Sequence, residues 1–354
     1  MFPQLRSMIE LILSYLVAFA GCYLIIPSVI NVAKVKQLFG DINDRSSHTV
    51  KTPPLGGVAI FVGFIFSLVY FIPYHVFKDL QYTLCGFIII FIIGFKDDII
   101  PMSPYKKLLG QIMAALVVML KSGIKFEILT HFFGANPIIN TISVLITLLS
   151  ILVIINGFNL IDGINGLSGS TTVLISLTLG FWFYLMKNEA LAIMSFCLAG
   201  AVSGFLRFNF SPAQIFMGDT GALLCGLVTS ILIIQFVNMN YEFPNNTYTS
   251  TASPVMAFGI LILPLFDTAR VIVIRFLKKK PIFSADRLHL HHLLLDSGYS
   301  HMQATGILTL MSTFFIMLVF LFKDLKSYQL LGLIILLLFV LGVLFTWKHK
   351  PISK

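Results

Sequence analysis

Five aspartates lie at the ends of apolar segments, where a carboxylate is costly unless it meets a cation, a cavity or another polar group. They are Asp97, Asp98, Asp162, Asp219 and Asp267. Asp97 and Asp98 are adjacent, so they cannot share one helical face, but a turn at a helix end would let both reach one centre. Two such charges repel each other unless a cation joins them. Mg²⁺ binds one or two carboxylates together with phosphate oxygens, so the pattern predicts a magnesium site.

These carboxylates also have purely structural explanations. Any one of them can cap a helix, and Lys96 can neutralise one member of the adjacent pair. Asp219 is followed by Thr220, Gly221 and an apolar run, which is typical of an N-cap. Capping explains a single aspartate well, but it explains five at one membrane face poorly.

The loop that runs from Asp41 to Gly57 carries a series of hydrogen-bond donors, namely Arg45, His48 and Lys51. Two prolines and then two glycines follow, which stiffen the chain and let it re-enter the membrane closely. A rigid basic loop of this kind indicates phosphate binding. A plain basic loop on the cytoplasmic side is the alternative.

A later loop, from Ile155 to Gly169, is rich in amides and glycines and contains Asn156, Asn159, Asp162 and Asn165. Such a loop can present side-chain amides and free backbone N–H groups at a helix N-terminus, which suits an anionic ligand. A tight turn between helices would explain the glycines, but it would not explain three asparagines and an aspartate.

The last polar loop contains His289, His291 and His292. Helical spacing predicts that the first and third of these lie on one face. Zinc is one interpretation, but the loop has no HExxH pattern or cysteine partner, and the other candidate ligands are carboxylates suited to Mg²⁺. Phosphate binding, beside Lys278–Lys280 and Arg287, is favoured. An amphipathic helix at the membrane surface is compatible with both.

The composition fixes the elements that must position these residues. The chain has 354 residues, of which 57% are hydrophobic and 11% charged, and its mean hydropathy is +0.94, which excludes a soluble protein. Its four cysteines have neither metal-ligand nor disulfide spacing.

We predict one integral membrane domain over 1–354, all-α and polytopic, with a cytoplasm-facing cleft. About eleven transmembrane helices are expected, at Met8–Ile30, Leu55–Phe71, Leu80–Phe95, Leu108–Leu120, Ile138–Ile155, Leu167–Met186, Ala190–Phe205, Ile215–Val237, Val255–Ile274, Ala304–Phe322 and Leu330–Trp347.

The basic residues predict the orientation of these helices. Most of the 24 Lys and Arg residues fall in alternate loops and in the C-terminal tail, and basic loops stay in the cytoplasm. The N-terminus is therefore expected outside and the C-terminus inside. The same topology explains most of the net charge of +9.

Five ordered blocks resemble the polyprenyl-phosphate N-acetylhexosamine-1-phosphate transferases, integral membrane enzymes that start bacterial cell-surface glycans. The blocks are Arg45-x-x-His48, Asp97-Asp98 with Lys107-Leu-Leu-Gly-Gln111, Asn156-x-x-Asn159-x-x-Asp162-Gly163, Phe216-Met-Gly-Asp219-Thr-Gly221, and the histidine loop. The His-x-His-His pattern is similar to the branch that uses UDP-N-acetylglucosamine, whereas lipid I synthases carry three successive histidines.

The resemblance implies transfer of GlcNAc-1-phosphate from UDP-GlcNAc to undecaprenyl phosphate, with release of UMP, in the bacterial cytoplasmic membrane. The glycan would be of the O-antigen, enterobacterial common antigen, teichoic acid or capsule type. Mg²⁺, or Mn²⁺ instead, is the implied cofactor. The implied partners are the two substrates and membrane lipid, without nucleic acid, and a homodimer is left open. UDP-MurNAc-pentapeptide or another UDP-HexNAc is the alternative donor.

The resemblance also implies roles for individual residues. Phe216 would stack on uracil, and the nucleotide would be bordered by Lys51, Asn159, Asp162 and Asn165. Two positions depart from the family pattern. Asn165 stands where relatives usually have Asp, and Leu288 stands where they often have Gly.

The predicted chemistry joins two anions, so neutralisation of charge should dominate catalysis. Asp219, with Asp97 or Asp98, would hold the metal, while Lys51, Lys107 and the histidines would neutralise phosphate oxygens. Direct attack by the lipid phosphate is favoured over a covalent phospho-aspartyl route through Asp97 or Asp98.

An ion-coupled transporter is the non-enzyme alternative. The collection of charges at one face and the lack of an internal repeat argue against it.

Overall fold

The structure, a computed structural model, describes residues 2–38, 52–279 and 288–348. These residues form fourteen α-helices and no strand. The helices are α1 (Phe2–Val35), α2 (Gly56–Phe71), α3 (Tyr74–Ile99), α4 (Pro104–Lys121), α5 (Ile128–Phe133), α6 (Pro137–Ile161), α7 (Leu167–Leu185), α8 (Glu189–Asn209), α9 (Gly218–Glu242), α10 (Ser253–Ile260), α11 (Ile262–Leu277), α12 (Leu290–Asp296), α13 (His301–Leu321) and α14 (Ser327–Lys348).

The predicted all-α, multi-pass membrane protein is confirmed, because six of the described helices are long and apolar enough to cross a bilayer. They are α1, α6, α7, α8, α9 and α13. A seventh span results if α10 and α11, which meet at an 82° bend, are counted together. Each of the other predicted segments also falls on a helix, but the total of eleven and the cytoplasm-facing cleft stay predictions.

Helix α9 forms the centre of the bundle. It is apolar around its whole circumference, and 94% of its most apolar window is buried, as expected for a helix surrounded by other helices. It packs against α2, α3 and α6. The residues at the N-terminus of α9 therefore lie in the middle of one end of the helix bundle.

Close contacts between backbones hold α2, α3 and α9 together at this end. A Cβ atom on Gly57 would lie 2.1 Å from the backbone nitrogen of Gly221, and one on Gly94 would lie 2.5 Å from the Cα of Thr220. Gly218 begins α9 with a φ of +70°, a conformation that glycine adopts without strain. The α9 N-terminus is thus wedged between two neighbouring helices.

A short stretch before α2 forms backbone hydrogen bonds with the residues that precede α9. The Phe216 N–H donates to the Pro53 carbonyl at 2.9 Å, and the Gly56 N–H donates back to the Phe216 carbonyl at 2.9 Å. The Gly57 N–H donates to the Met217 carbonyl at 2.8 Å. The Pro-Pro and Gly-Gly pairs of the sequence therefore lie in a stretch, residues 52–57, that is hydrogen-bonded to the residues just before α9.

Candidate active site

Asp98 caps the N-terminus of α9. Its Oδ1 accepts the Asp219 N–H at 2.7 Å, and its Oδ2 accepts both the N–H and the hydroxyl of Thr220, at 3.0 and 2.5 Å. The carboxylate thus satisfies N–H groups that have no partner inside the helix, and its charge complements the helix dipole. With both oxygens occupied, Asp98 positions α9.

Asp97 points instead towards Lys107 and Asp219. Its Oδ2 lies 3.3 Å from the Lys107 Nζ, and its Oδ1 accepts the Met102 N–H at 2.5 Å. Lys107 also pairs with the Oδ2 of Asp219, and the Asp97 and Asp219 side chains are within hydrogen-bonding reach of each other. An ammonium group therefore lies between the carboxylates of Asp97 and Asp219. The alternative in which Lys96 neutralises one of the adjacent pair is wrong, because that side chain is exposed and makes no ion pair with the described residues.

Amides from α6 complete this carboxylate cluster, by which we mean Asp97, Lys107, Asn159 and Asp219. The Asn159 Nδ2 donates to the Oδ1 of Asp219, and its Oδ1 accepts from Lys107 at 3.4 Å. One turn earlier, Asn156 donates to Gln111 at 2.8 Å. This second amide pair joins α4 to α6 behind the cluster, so Asn156 supports the site rather than lining it.

Asp162 directly follows α6 and lies close to the same acids. Burial raises the pKa of its carboxyl group, and the nearby carboxylates of Asp219 and Asp98 raise it further. No described residue forms a hydrogen bond or ion pair with its side chain. A carboxyl group in such surroundings is suited to a ligand that brings its own donors or positive charge.

The histidine loop is anchored by an acid that lies in α11. Asp267 Oδ2 lies 2.9 Å from the His289 Nδ1, and Asp267 Oδ1 accepts the Leu290 N–H and an Arg270 N–H, both at 3.0 Å. His289 is the extended residue that precedes α12. It therefore does not share a helical face with His292, and that prediction is wrong.

His291 lies on α12 and packs against the loop that contains Asp162. A Cβ atom on Gly163 would lie 2.3 Å from its Nε2, so only glycine leaves room for the ring. Burial, and then the nearby His292, whose ring centroid is 4.3 Å away, lower the pKa of His291 to about 3. His291 is thus a neutral imidazole at pH 7, and the expected cationic role does not apply to it.

The structure brings the predicted acids and histidines together. Asp98 contacts α9 beside Asp219, Asp162 lies within electrostatic range of both, and the next residue in the chain, Gly163, contacts His291. The separate loops therefore converge at one end of the bundle, as the sequence predicts.

Two other predicted nucleotide contacts lie at the edge of this assembly. Asn165 is buried and donates to the Ser211 hydroxyl at 2.8 Å, while its Oδ1 has no hydrogen-bond partner among the described residues. Phe216 is partly buried on the segment that pairs with Pro53. Arg45, His48 and Lys51 lie outside the described residues.

The described residues contain no group of three or more His, Cys, Asp or Glu side chains placed to hold a metal ion. Mg²⁺ does not require such a cage, since it uses one or two carboxylates and takes its other ligands from water and phosphate. Asp97 and Asp219, already drawn together around one ammonium group, fit that requirement.

The sequence did not single out Thr220, Arg270 or Gly163 as residues with a role in the site. Thr220 ties α9 to Asp98, and Arg270 joins Asp267 to the Leu288 carbonyl. The spacing of Asp267 and Arg270, three residues apart on one helix, was a usable signal for an ion pair. The contact between Gly163 and the His291 ring depends on tertiary packing and leaves no local signal.

Comparison with known proteins agrees with this geometry. The family model described as glycosyl transferase family 4 matches residues 80–237, which include both adjacent aspartates, Lys107, the amide-rich loop and Asp219. This chain is similar to the family over that region, which is less than half of its length. It is 28% identical over 356 residues to a protein of Bacillus subtilis (strain 168) named "Probable undecaprenyl-phosphate N-acetylglucosaminyl 1-phosphate transferase", covering 99% of this chain and 97% of that protein.

A second relative is the "Undecaprenyl-phosphate alpha-N-acetylglucosaminyl 1-phosphate transferase" of Escherichia coli (strain K12). It is 28% identical over 287 residues, which are 79% of this chain and 75% of the relative. A relative of the same name in Salmonella typhi is 28% identical over 276 residues, 76% of this chain and 72% of that protein. The family resemblance drawn from the five sequence blocks is confirmed.

Proposed function

We propose that this protein transfers GlcNAc-1-phosphate from UDP-GlcNAc to undecaprenyl phosphate, giving undecaprenyl-diphospho-GlcNAc and UMP. The observation that carries the proposal is the end-to-end similarity to a relative named for that reaction, together with the convergence of acids, lysine and histidines at one end of the helices. The product would be the first lipid-linked intermediate of a surface glycan.

The site end of the bundle would face the cytoplasm. The described residues at this end include Lys96, Lys106 and Lys107, and basic segments remain on the cytoplasmic side. This orientation puts the N-terminus outside and the C-terminus inside. It lets the isoprenoid tail stay in the bilayer while its phosphate meets a water-soluble nucleotide sugar at the interface.

Asp97 and Asp219 are the residues that would hold Mg²⁺, or Mn²⁺ in its place. Their carboxylates lie together around the Lys107 ammonium group, and each needs a positive charge to offset repulsion by the other. When bound, the ion would supply positive charge to the oxygens of the pyrophosphate.

The protein's own residues must overcome repulsion between the two phosphate-bearing substrates. Lys107 provides a cation beside the acids, and neutral His291 can donate one hydrogen bond without adding charge. A phosphate monoester has its second pKa near ~6, so the acceptor is largely dianionic at pH 7 and needs no base. This supports direct attack by the lipid phosphate.

The position of Asp98 argues against a covalent role for it. Its two oxygens accept three hydrogen bonds from Asp219 and Thr220, and attack on phosphorus would break them and release the N-terminus of α9. Asp97, which faces the lysine, is the better placed of the two to meet a substrate or a metal.

The proposal is tested by measuring UMP release from purified protein supplied with undecaprenyl phosphate, Mg²⁺ and a panel of donors. We expect release with UDP-GlcNAc, loss of activity on chelation, and recovery with Mg²⁺ or Mn²⁺. Activity confined to UDP-MurNAc-pentapeptide or to another UDP-HexNAc would replace the donor in the proposal. Absence of UMP release with every donor would refute it.

A further inference from the structure

An acid that the proposed chemistry does not use lies buried beside the histidine loop. Asp267 is 1% exposed and stands on the apolar helix α11, just after its bend from α10. A buried carboxylate is strongly destabilising unless its oxygens are paired. Its partners therefore indicate what it holds in place.

Asp267 is paired from three directions. Its Oδ1 accepts the backbone N–H of Leu290 and an N–H of Arg270, while its Oδ2 contacts the Nδ1 of His289. The same Arg270 nitrogen also donates to the Leu288 carbonyl. The acid and the arginine thus bind the chain on both sides of His289 and fix the beginning of α12.

These contacts decide where the His289 ring carries its proton. Arg270 and a backbone N–H can only donate, so Asp267 accepts from both and its Oδ2 remains an acceptor. The Nδ1 of His289 must then carry the hydrogen. The other ring nitrogen, Nε2, makes no contact with Asp267. The His289 ring also lies parallel to the His291 ring, with centroids 5.7 Å apart.

We propose that Asp267 is a positioning residue for the transfer reaction: it fixes the tautomer and orientation of His289 and, through Leu290, the placement of His291 against Gly163. This inference rests on the proposed function, because it assigns the histidine loop a part in that reaction. Arg270 serves the same arrangement by orienting Asp267. The buried Asp267 and the partly exposed Arg270 thus act on the histidine loop as well as on the fold of α11.

Asp267→Asn is the variant that tests the proposal. Asparagine keeps the size of the side chain and one oxygen for Leu290 and Arg270, but it offers an NH₂ group to His289 and forces Nδ1 to accept. We expect kcat to fall by roughly 10- to 100-fold, as when a partner that orients a functional histidine is lost. KM for UDP-GlcNAc should change by less than about threefold.

A double-mutant cycle separates positioning from a general structural role. His289→Asn keeps a donor near the Nδ1 position and deletes Nε2. If Asp267 acts through His289, adding Asp267→Asn to His289→Asn should cause no further loss of kcat. The matched control is Asp324→Asn, which removes an exposed aspartate between α13 and α14 and should leave kcat unchanged.

Nitrogen NMR of histidine-labelled protein gives a readout that does not depend on activity. We expect the His289 signal, assigned by its loss in His289→Asn, to show a protonated Nδ1 in the wild type and a change in Asp267→Asn. A His289 ring without a proton on Nδ1 in the wild type would overturn the proposal. Independent, additive losses of kcat in the double-mutant cycle would also overturn it.

Two further outcomes distinguish a folding defect in Asp267→Asn, and a failure of the proposed function, from a failure of the positioning proposal. Should Asp267→Asn fail to fold, His289→Asn supplies the test, and a wild-type kcat in that variant would overturn the proposal. If the wild type released no UMP from any donor, the proposed function would fall, while the NMR signal of His289 would still decide whether Asp267 sets its tautomer.

Discussion

The two halves of the candidate site solve opposite electrostatic problems. In the carboxylate cluster, two acids share one ammonium group, and a third acid, Asp162, lies nearby without a partner among the described residues. Beside the histidine loop, one acid, Asp267 of α11, is surrounded by three donors and buried almost completely. In the carboxylate cluster, the negative charges outnumber the positive charges. Beside the histidine loop, each oxygen of the buried carboxylate already accepts from a donor.

This difference separates binding from positioning. A group of like charges that lacks cations gains stability when a metal ion arrives, so the carboxylate cluster is suited to a charged ligand. A buried acid with all its donors in place gains nothing from a further cation, and it resists movement because each contact would be lost. We therefore expect variants in the two halves to fail in different ways.

The largest effect is expected from Asp219→Asn. Asp219 is the acid that meets Lys107, Asn159 and the Asp97 side chain, so its loss removes the centre of the carboxylate cluster. UMP release should fall by at least about 1000-fold. The assay is run beside Asp324→Asn, and turnover within tenfold of the wild type would show that Asp219 is not central.

Lys107→Met should have the next largest effect, because it leaves Asp97 and Asp219 without their shared cation. We expect kcat to drop by about 100-fold. The concentration of Mg²⁺ needed for half-maximal activity should also fall, since the ion no longer competes with an ammonium group. Lys106→Met is the matched control, because that neighbour is exposed and should tolerate the change. An unchanged Mg²⁺ requirement in Lys107→Met would argue against a cation site between these acids.

Gly163→Ala probes the point where the two halves touch. The added Cβ would approach the His291 Nε2 to 2.3 Å, so the histidine ring must shift away from residue 163. We expect kcat to decrease by about 10-fold, since small displacements of reacting groups are costly. Gly306→Ala on α13, where nothing lies within 4 Å of the new atom, serves as the control. Equal activity in the two variants would contradict a link between the halves.

The smallest effect concerns the cap on α9 and is measured as stability. Thr220→Val removes the hydroxyl that donates to Asp98, and we expect a loss of about 1 kcal/mol in the free energy of unfolding. Thr229→Val, on the same helix, removes a buried hydroxyl that has no partner among the described residues and should be neutral or stabilising. Reversal of this order in a thermal or denaturant assay would show that the bond from the Thr220 hydroxyl to Asp98 does not stabilise the protein.

The sequence predicted the helical segments because long apolar runs have only one stable form in a bilayer. It also predicted which loops meet, since the acids cluster at one end of those runs. It could not assign different tasks to Asp97 and Asp98, because the hydrogen bonds that occupy Asp98 come from a helix 121 and 122 positions further along the chain. The same limit applies to Gly163 and His291, which meet only through tertiary packing.

The glycine-lined contact between α2, α3 and α9 has a consequence for engineering. Replacing helical glycines by alanine is a common route to more heat-resistant proteins, because it restricts the unfolded chain. At Gly57 and Gly94 the same exchange would push a methyl group into the backbone of α9, and the displaced helix would carry Asp219 with it. A campaign to thermostabilise this membrane protein should begin with glycines that have open space around them, such as Gly332.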